Sequence, residues 1–117
     1  MKKMGLFLGV AFLGVVLASC ASSSKNSFGP YSAAENFYKQ GKYPKAIGKY
    51  QEYLASNPQG TLAATAEYYI AKSYLASGDT VKAREGFVLV TEKFPGTSWA
   101  AFAQEQLKLL SGAAKAK

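Results

Sequence analysis

Histidine is absent from these 117 residues, and cysteine and tryptophan occur once each. Without histidine there is no Ser–His–Asp or Cys–His arrangement, no imidazole metal ligand, and no side chain that ordinarily changes charge near neutral pH. A single cysteine excludes an intramolecular disulfide and any cysteine-built metal cluster. Acid is scarce as well: seven carboxylates face fourteen lysines and arginines, for a net charge of +7. None of the seven falls in the spacing of a catalytic pair or a metal loop. Among the bases only Arg84 is an arginine, and the lysines are spread out rather than clustered, which argues against a nucleic-acid footprint. An enzyme, a metal site, a bound cofactor and a nucleic-acid partner are therefore not expected. Nor is there an apolar run of the ~20 residues needed to span a bilayer.

What is present begins at the N-terminus. Lys2 and Lys3 precede Gly5–Ala18, an almost wholly apolar stretch of the size and flanks of a secretory signal. It ends in Leu17-Ala18-Ser19-Cys20, which resembles the bacterial lipobox. The chemistry suits the residue types, because a thiolate is a far better nucleophile than a hydroxyl for attaching a diacylglycerol. The resemblance implies that Cys20 is lipidated, that residues 1–19 are a lipoprotein signal peptide, and that the chain is held at a membrane by its acyl groups. Ala21, rather than Asp, after the cysteine resembles sorting to an outer membrane, facing the periplasm, where a second membrane exists. Residues 20–30 read as lipidated cysteine and flexible tether, with a reach of at most ~35 Å.

From Tyr31 the chain repeats itself 37 residues later. Tyr31 aligns with Tyr68, Ala34 with Ala71, Gly41 with Gly78, Ala46 with Ala83 and Pro58 with Pro95. Phe37 aligns with Tyr74 and Tyr50 with Phe87, and TLAATA (61–66) aligns with SWAAFA (98–103). A fixed period of this length marks stacked supersecondary units. Each unit reads as two helices. Ala33, Ala34 and Phe37 form an apolar stripe that Gly41 stops in a left-handed C-terminal conformation. Pro44 suits the first turn of the next helix, whose Ala46, Ile47, Tyr50, Tyr53 and Leu54 recur at helical spacing. The second unit opens with Thr61 as the expected N-cap, breaks at Gly78-Asp79, and continues through Ala83, Phe87, Val90 and Phe94. The register with Tyr50 makes Phe87–Thr91 helical despite its β-branched content. A third first-helix opens at Ser98 and is expected to run to about Leu110.

A small residue, an aromatic three later, a glycine turn, then A-x3-[FY] and a helix-ending proline resemble the tetratricopeptide repeat. Ile70, Ala71, Tyr74, Ala83, Phe87 and Pro95 occupy its signature positions in the second unit; Ala34, Phe37, Ala46, Tyr50 and Pro58 do so in the first. The large aromatic expected early in the first helix is replaced by Glu67 and Pro30. The longer period, with P-x2-[ST]-x-A-A before the first helix, is similar to envelope proteins of the BamD type and, less closely, of the YbgF (CpoB) type. The former are lipoproteins of the outer-membrane β-barrel assembly machinery; the latter are partners of the Tol–Pal system.

These readings give an all-α fold: a short tetratricopeptide-type α-solenoid of about five antiparallel helices over residues 31–111, with 112–117 as a frayed tail. The expected role is a membrane-anchored protein–protein interaction scaffold of the bacterial cell envelope. The alternative is an envelope adaptor that binds peptidoglycan, anionic lipid or Tol–Pal type partners through its lysines. By the ~100° per residue of a helix, Tyr31, Glu35 and Tyr38 form a stripe about 120° from the packing stripe. Tyr68, Lys72 and Leu75 repeat it and Phe102 continues it. These seven are the expected partner-binding groove, and exposed tyrosines among charges suit peptide capture. Two and a half repeats make a small core, so stabilisation by a protein or peptide partner, or by self-association, is expected.

Overall fold

The computed structural model describes residues 29–115. Five helices follow one another, with no strand among the described residues: α1 (Gly29–Lys39), α2 (Tyr43–Ser56), α3 (Thr61–Ala76), α4 (Thr80–Lys93) and α5 (Ser98–Lys115). Each packs on the next, and α3 also meets α5. The result is the all-α stack of antiparallel helices expected from the repeat. The expected signal peptide, Cys20 and the expected tether up to Phe28 lie outside the described residues.

The two repeats turn in the same way for the same reason. Gly41 and Gly78 have φ of +76° and +93°, which side chains other than glycine rarely adopt. That geometry lets the next N–H reach back over the helix end. Lys42 N–H donates to the Phe37 carbonyl at 2.9 Å, and Asp79 N–H donates to the Tyr74 carbonyl at 2.9 Å, a Schellman closure at both sites. The following helix starts differently in each repeat. Asp79 caps α4 by accepting from Lys82 N–H at 3.0 Å, whereas its counterpart Lys42 makes no side-chain cap and α2 relies on Pro44 in its first turn.

Three boundaries differ from the sequence expectation. The N-cap of α3 is Gly60, not Thr61, and it carries no side-chain cap; the Thr65 hydroxyl instead donates to the Thr61 carbonyl at 3.0 Å. The first helix begins at Gly29, since Pro30 sits in its first turn, where a missing N–H is harmless. At the other end α5 continues to Lys115, through the segment expected to fray, where alanines favour the helix and no proline interrupts it despite Gly112.

The core lies along the crossings of the helices. Around the first repeat it comprises Tyr31, Ala34, Ala46, Ile47, Tyr50, Tyr53, Ala66 and Ile70. Around the second it comprises Tyr68, Ala71, Ala83, Phe87, Val90 and Ala103. Alanines at the crossings let the backbones approach while Tyr50 and Phe87 fill the space beside them. Glu67, which replaces the expected large aromatic, is buried, and its carboxylate meets the Lys93 ammonium of α4 at 3.3 Å. A buried carboxylate needs such a partner, so the departure from the repeat pattern is matched on the facing helix.

Candidate functional site

Because consecutive helices alternate in direction, α1, α3 and α5 run parallel and form one side of the stack. Aromatic rings join them. Tyr38 of α1 meets Tyr69 of α3 edge-on at 5.1 Å between centroids, and Tyr69 meets Trp99 of α5 at 5.9 Å. Tyr68 of α3 also meets Trp99, at 5.1 Å, and lies 6.3 Å from Phe102. Trp99 and Phe102 are themselves 5.5 Å apart. The rings thus form a continuous ladder from α1 to α5.

The seven residues expected to line this side divide into two sets. Tyr31 and Tyr68 are each only 8% exposed and belong to the core, which corrects the expectation that they stand free. Tyr31 packs edge-on against Tyr50 at 5.7 Å, and Tyr68 packs against Phe87 at 5.5 Å. Tyr50 and Phe87 are themselves repeat counterparts, so the recurrence of the tyrosine reflects a recurring packing pair. The expectation set this stripe about 120° from the packing stripe, but Tyr31 and Tyr68 each lie three residues before a core alanine, only ~60° from it around the helix, and a ring of that size leans into the crossing. Glu35, Tyr38, Lys72 and Leu75 are half-buried, and Phe102 is 50% exposed.

Three residues not foreseen join this surface. Tyr69 and Trp99 bridge the helices, and Leu109, 58% exposed, lies seven residues after Phe102 and so on nearly the same face of α5. Tyr69 aligns with Ser32 and with Gln106 at the 37-residue offset. A search for what repeats passes over it. Its signal was its aromatic character beside Tyr68, at a position where the first and third units are polar.

The opposite side has a larger cavity, about 610 Å³, lined by Gln51, Leu54, Glu67, Ile70, Tyr74, Lys82, Glu85, Gly86 and Leu89. Its charged lining is largely engaged within the fold: Glu67 pairs with Lys93, and the Lys82 ammonium lies over the Tyr74 ring at 5.5 Å. The α1/α3/α5 side, with Tyr38, Tyr69 and Trp99 half-buried and Phe102 exposed, is better suited to recognition.

Burial gives the tyrosines unusual acidities. Tyr31 is pushed up to about 12, by burial first and then by the Glu35 carboxylate. Tyr38, Tyr50 and Tyr68 are also raised, each chiefly by burial, with neighbouring phenols adding to it. A folded-state pKa above the unfolded value of about 10 favours folding fully below pH 10, and that contribution is lost as pH rises towards 12. The melting temperature, followed by circular dichroism, should therefore fall steeply above pH 10. A Tyr31→Phe variant should lose part of that slope, whereas an unchanged slope would exclude Tyr31 as a contributor.

Among the described residues no group of three or more potential ligands could hold a metal, and no helix is long and apolar enough to cross a membrane. The Tetratricopeptide repeat family model matches residues 31–60 and 65–97, the first covering α2 and most of α1, the second α4 and most of α3. No curated protein sequence matches the chain.

Proposed function

This chain belongs to the tetratricopeptide repeat family, and on that premise we propose that it is a membrane-anchored interaction scaffold of the bacterial cell envelope. Tetratricopeptide repeats mediate protein–protein contacts, and here the α1/α3/α5 face receives the partner. One observation carries the reading: that face leaves Phe102 and Leu109 at least half exposed at the end of an aromatic ladder whose other rings are buried or half-buried. These large apolar side chains, with half-buried Tyr38, Lys72 and Leu75 on the other two helices of the same side, offer apolar area with charge nearby, the make-up of interface hot spots. Anchoring rests on the lipobox-like Leu17–Cys20 sequence, and the setting in outer-membrane protein assembly rests on the BamD-like spacing of the repeats. The role proposed is non-enzymatic.

The alternative adaptor role has its own support in Lys39, Lys42 and Lys45, three exposed lysines around the α1–α2 turn. Binding of that kind to peptidoglycan or anionic lipid would weaken steeply with salt.

The test is capture of the native partner from envelope membranes by crosslinking with the full-length protein, followed by affinity measurement. Substituting Tyr38, Lys72 and Phe102 together by alanine should weaken that partner about tenfold or more with little loss of helicity. If this variant melts and binds normally while changes at Lys49 or Lys82 on the second helices abolish binding, the groove reading is wrong. Membrane anchoring is tested separately: Cys20→Ser should abolish fatty-acid labelling and release the protein from membranes.

A further inference from the structure

Where α1 meets α3, a cavity of about 170 Å³ is lined by Glu35, Tyr38, Lys39, Tyr50 and Tyr69. Three of these five are phenol rings contributed by three different helices. Tyr38 and Tyr69 stand nearly perpendicular, at 80° and 5.1 Å. Tyr50 and Tyr69 are roughly parallel, at 21° and 6.2 Å. The rings therefore present walls in two orientations, and ring faces carry negative charge density. Glu35 adds a full negative charge to the same lining, and its influence reaches the Tyr50 and Tyr31 phenols, whose acidity it lowers further after burial has done so.

We propose that this cavity is a cation-binding cage, which receives an arginine or lysine side chain of the segment that lies in the groove. The proposal rests on the groove reading and gives the partner a chemical character. Ring faces together with a carboxylate attract an ammonium or guanidinium, most strongly where water is excluded. Arginine fits best, because a planar guanidinium stacks on a tyrosine face while donating hydrogen bonds to a carboxylate. At about 170 Å³ the cavity has room for such a head group. An aliphatic side chain would desolvate Glu35 and give it no partner. An anion would meet both Glu35 and the ring faces. Lys39 is the one positive group in the lining. It is exposed, in the last turn of α1, where a cation is favoured by the helix C-terminus and can remain in water.

Opposite effects at Glu35 and Lys39 make the test. N-acetyl-arginine amide is titrated into the full-length protein, with the ring signals of Tyr38 and Tyr69 followed by NMR. N-acetyl-norleucine amide and N-acetyl-glutamate amide serve as neutral and anionic probes. The arginine probe should give a saturable shift that the other two do not. Glu35→Gln should weaken it about fivefold or more, and Lys39→Gln should tighten it. Stronger binding of the neutral or anionic probe, or an unchanged dissociation constant in Glu35→Gln, overturns the cage. Phe102→Ala, outside the cavity, separates the two readings. An arginine probe that binds while partner capture ignores Phe102→Ala overturns the groove and supports the cage. A partner that needs Phe102, with no saturable arginine shift, overturns the cage alone.

Discussion

Replacing Phe87 with alanine is expected to lower stability by about 3–5 kcal/mol, enough to unfold most of the second repeat. Phe87 is fully buried. Its ring packs against Tyr68 at 5.5 Å and belongs to the cluster that holds Ala71, Ala83, Val90 and Ala103 together. The methyl side chains of the neighbouring alanines cannot swing into the vacated space, so the cavity term is large. A domain of this size has a total stability of only about 5–15 kcal/mol, and each kcal/mol shifts the melting temperature by roughly 4–8 °C. The thermal transition should therefore fall by more than 10 °C. In a stack where each unit touches only its neighbours, amide exchange in α4 and α5 should accelerate more than in α1 and α2. Phe102→Ala supplies the comparison, since Phe102 is half exposed; equal melting of the two variants would show that Phe87 is not the centre of the second core.

The second large effect is a reversal of helix propensity. Gly48 and Gly86 both lie inside helices, α2 and α4, where alanine is ordinarily better by about 1 kcal/mol. A Cβ at Gly48 would meet nothing within 4 Å, whereas one at Gly86 would lie 2.8 Å from the Ala71 Cβ and 3.2 Å from its Cα. Neither Ala71 atom can move by a rotamer change, so α3 and α4 would have to separate. Gly48→Ala should therefore stabilise the protein by about 0.5–1 kcal/mol. Gly86→Ala should destabilise it, and Gly86→Leu should cost about 3 kcal/mol, at the upper end of overpacking penalties. Chemical denaturation of all three variants gives the comparison. If Gly86→Ala stabilises as much as Gly48→Ala, the α3–α4 crossing is looser than this contact requires.

These two glycines also mark the division between what was legible and what was not. The 37-residue period, the glycine turns and the alanines at the crossings are local or periodic properties of the chain. From them followed the helix order, the all-α stack and the membership of most core residues, including the helical state of Phe87–Thr91. The repeat also implied that Tyr31 and Tyr68 share a role. It could not say that the role is packing, because 100° per residue fixes the direction of a Cβ and not where a long phenol ring comes to rest. Gly86 shows the same limit. Its counterpart in the first repeat is Lys49, so no periodic signal announced that this glycine touches Ala71.

The proposed recognition surface was legible only in part, and the reason is physical. Glu35, Tyr38, Lys72, Leu75 and Phe102 follow from helical geometry within single helices. The cavity at the α1–α3 contact joins Tyr38, Tyr50 and Tyr69 from three helices, and the distances that make it a cage depend on how far α1 and α3 stand apart. By itself the sequence determined the secondary structure, the repeat and its core positions, because hydrophobic period and turn chemistry act over a few neighbouring residues. Only the tertiary structure decided which tyrosines are buried and which stay partly exposed, and which of them meet around one cavity, because burial depends on the spacing between helices that are far apart in the chain.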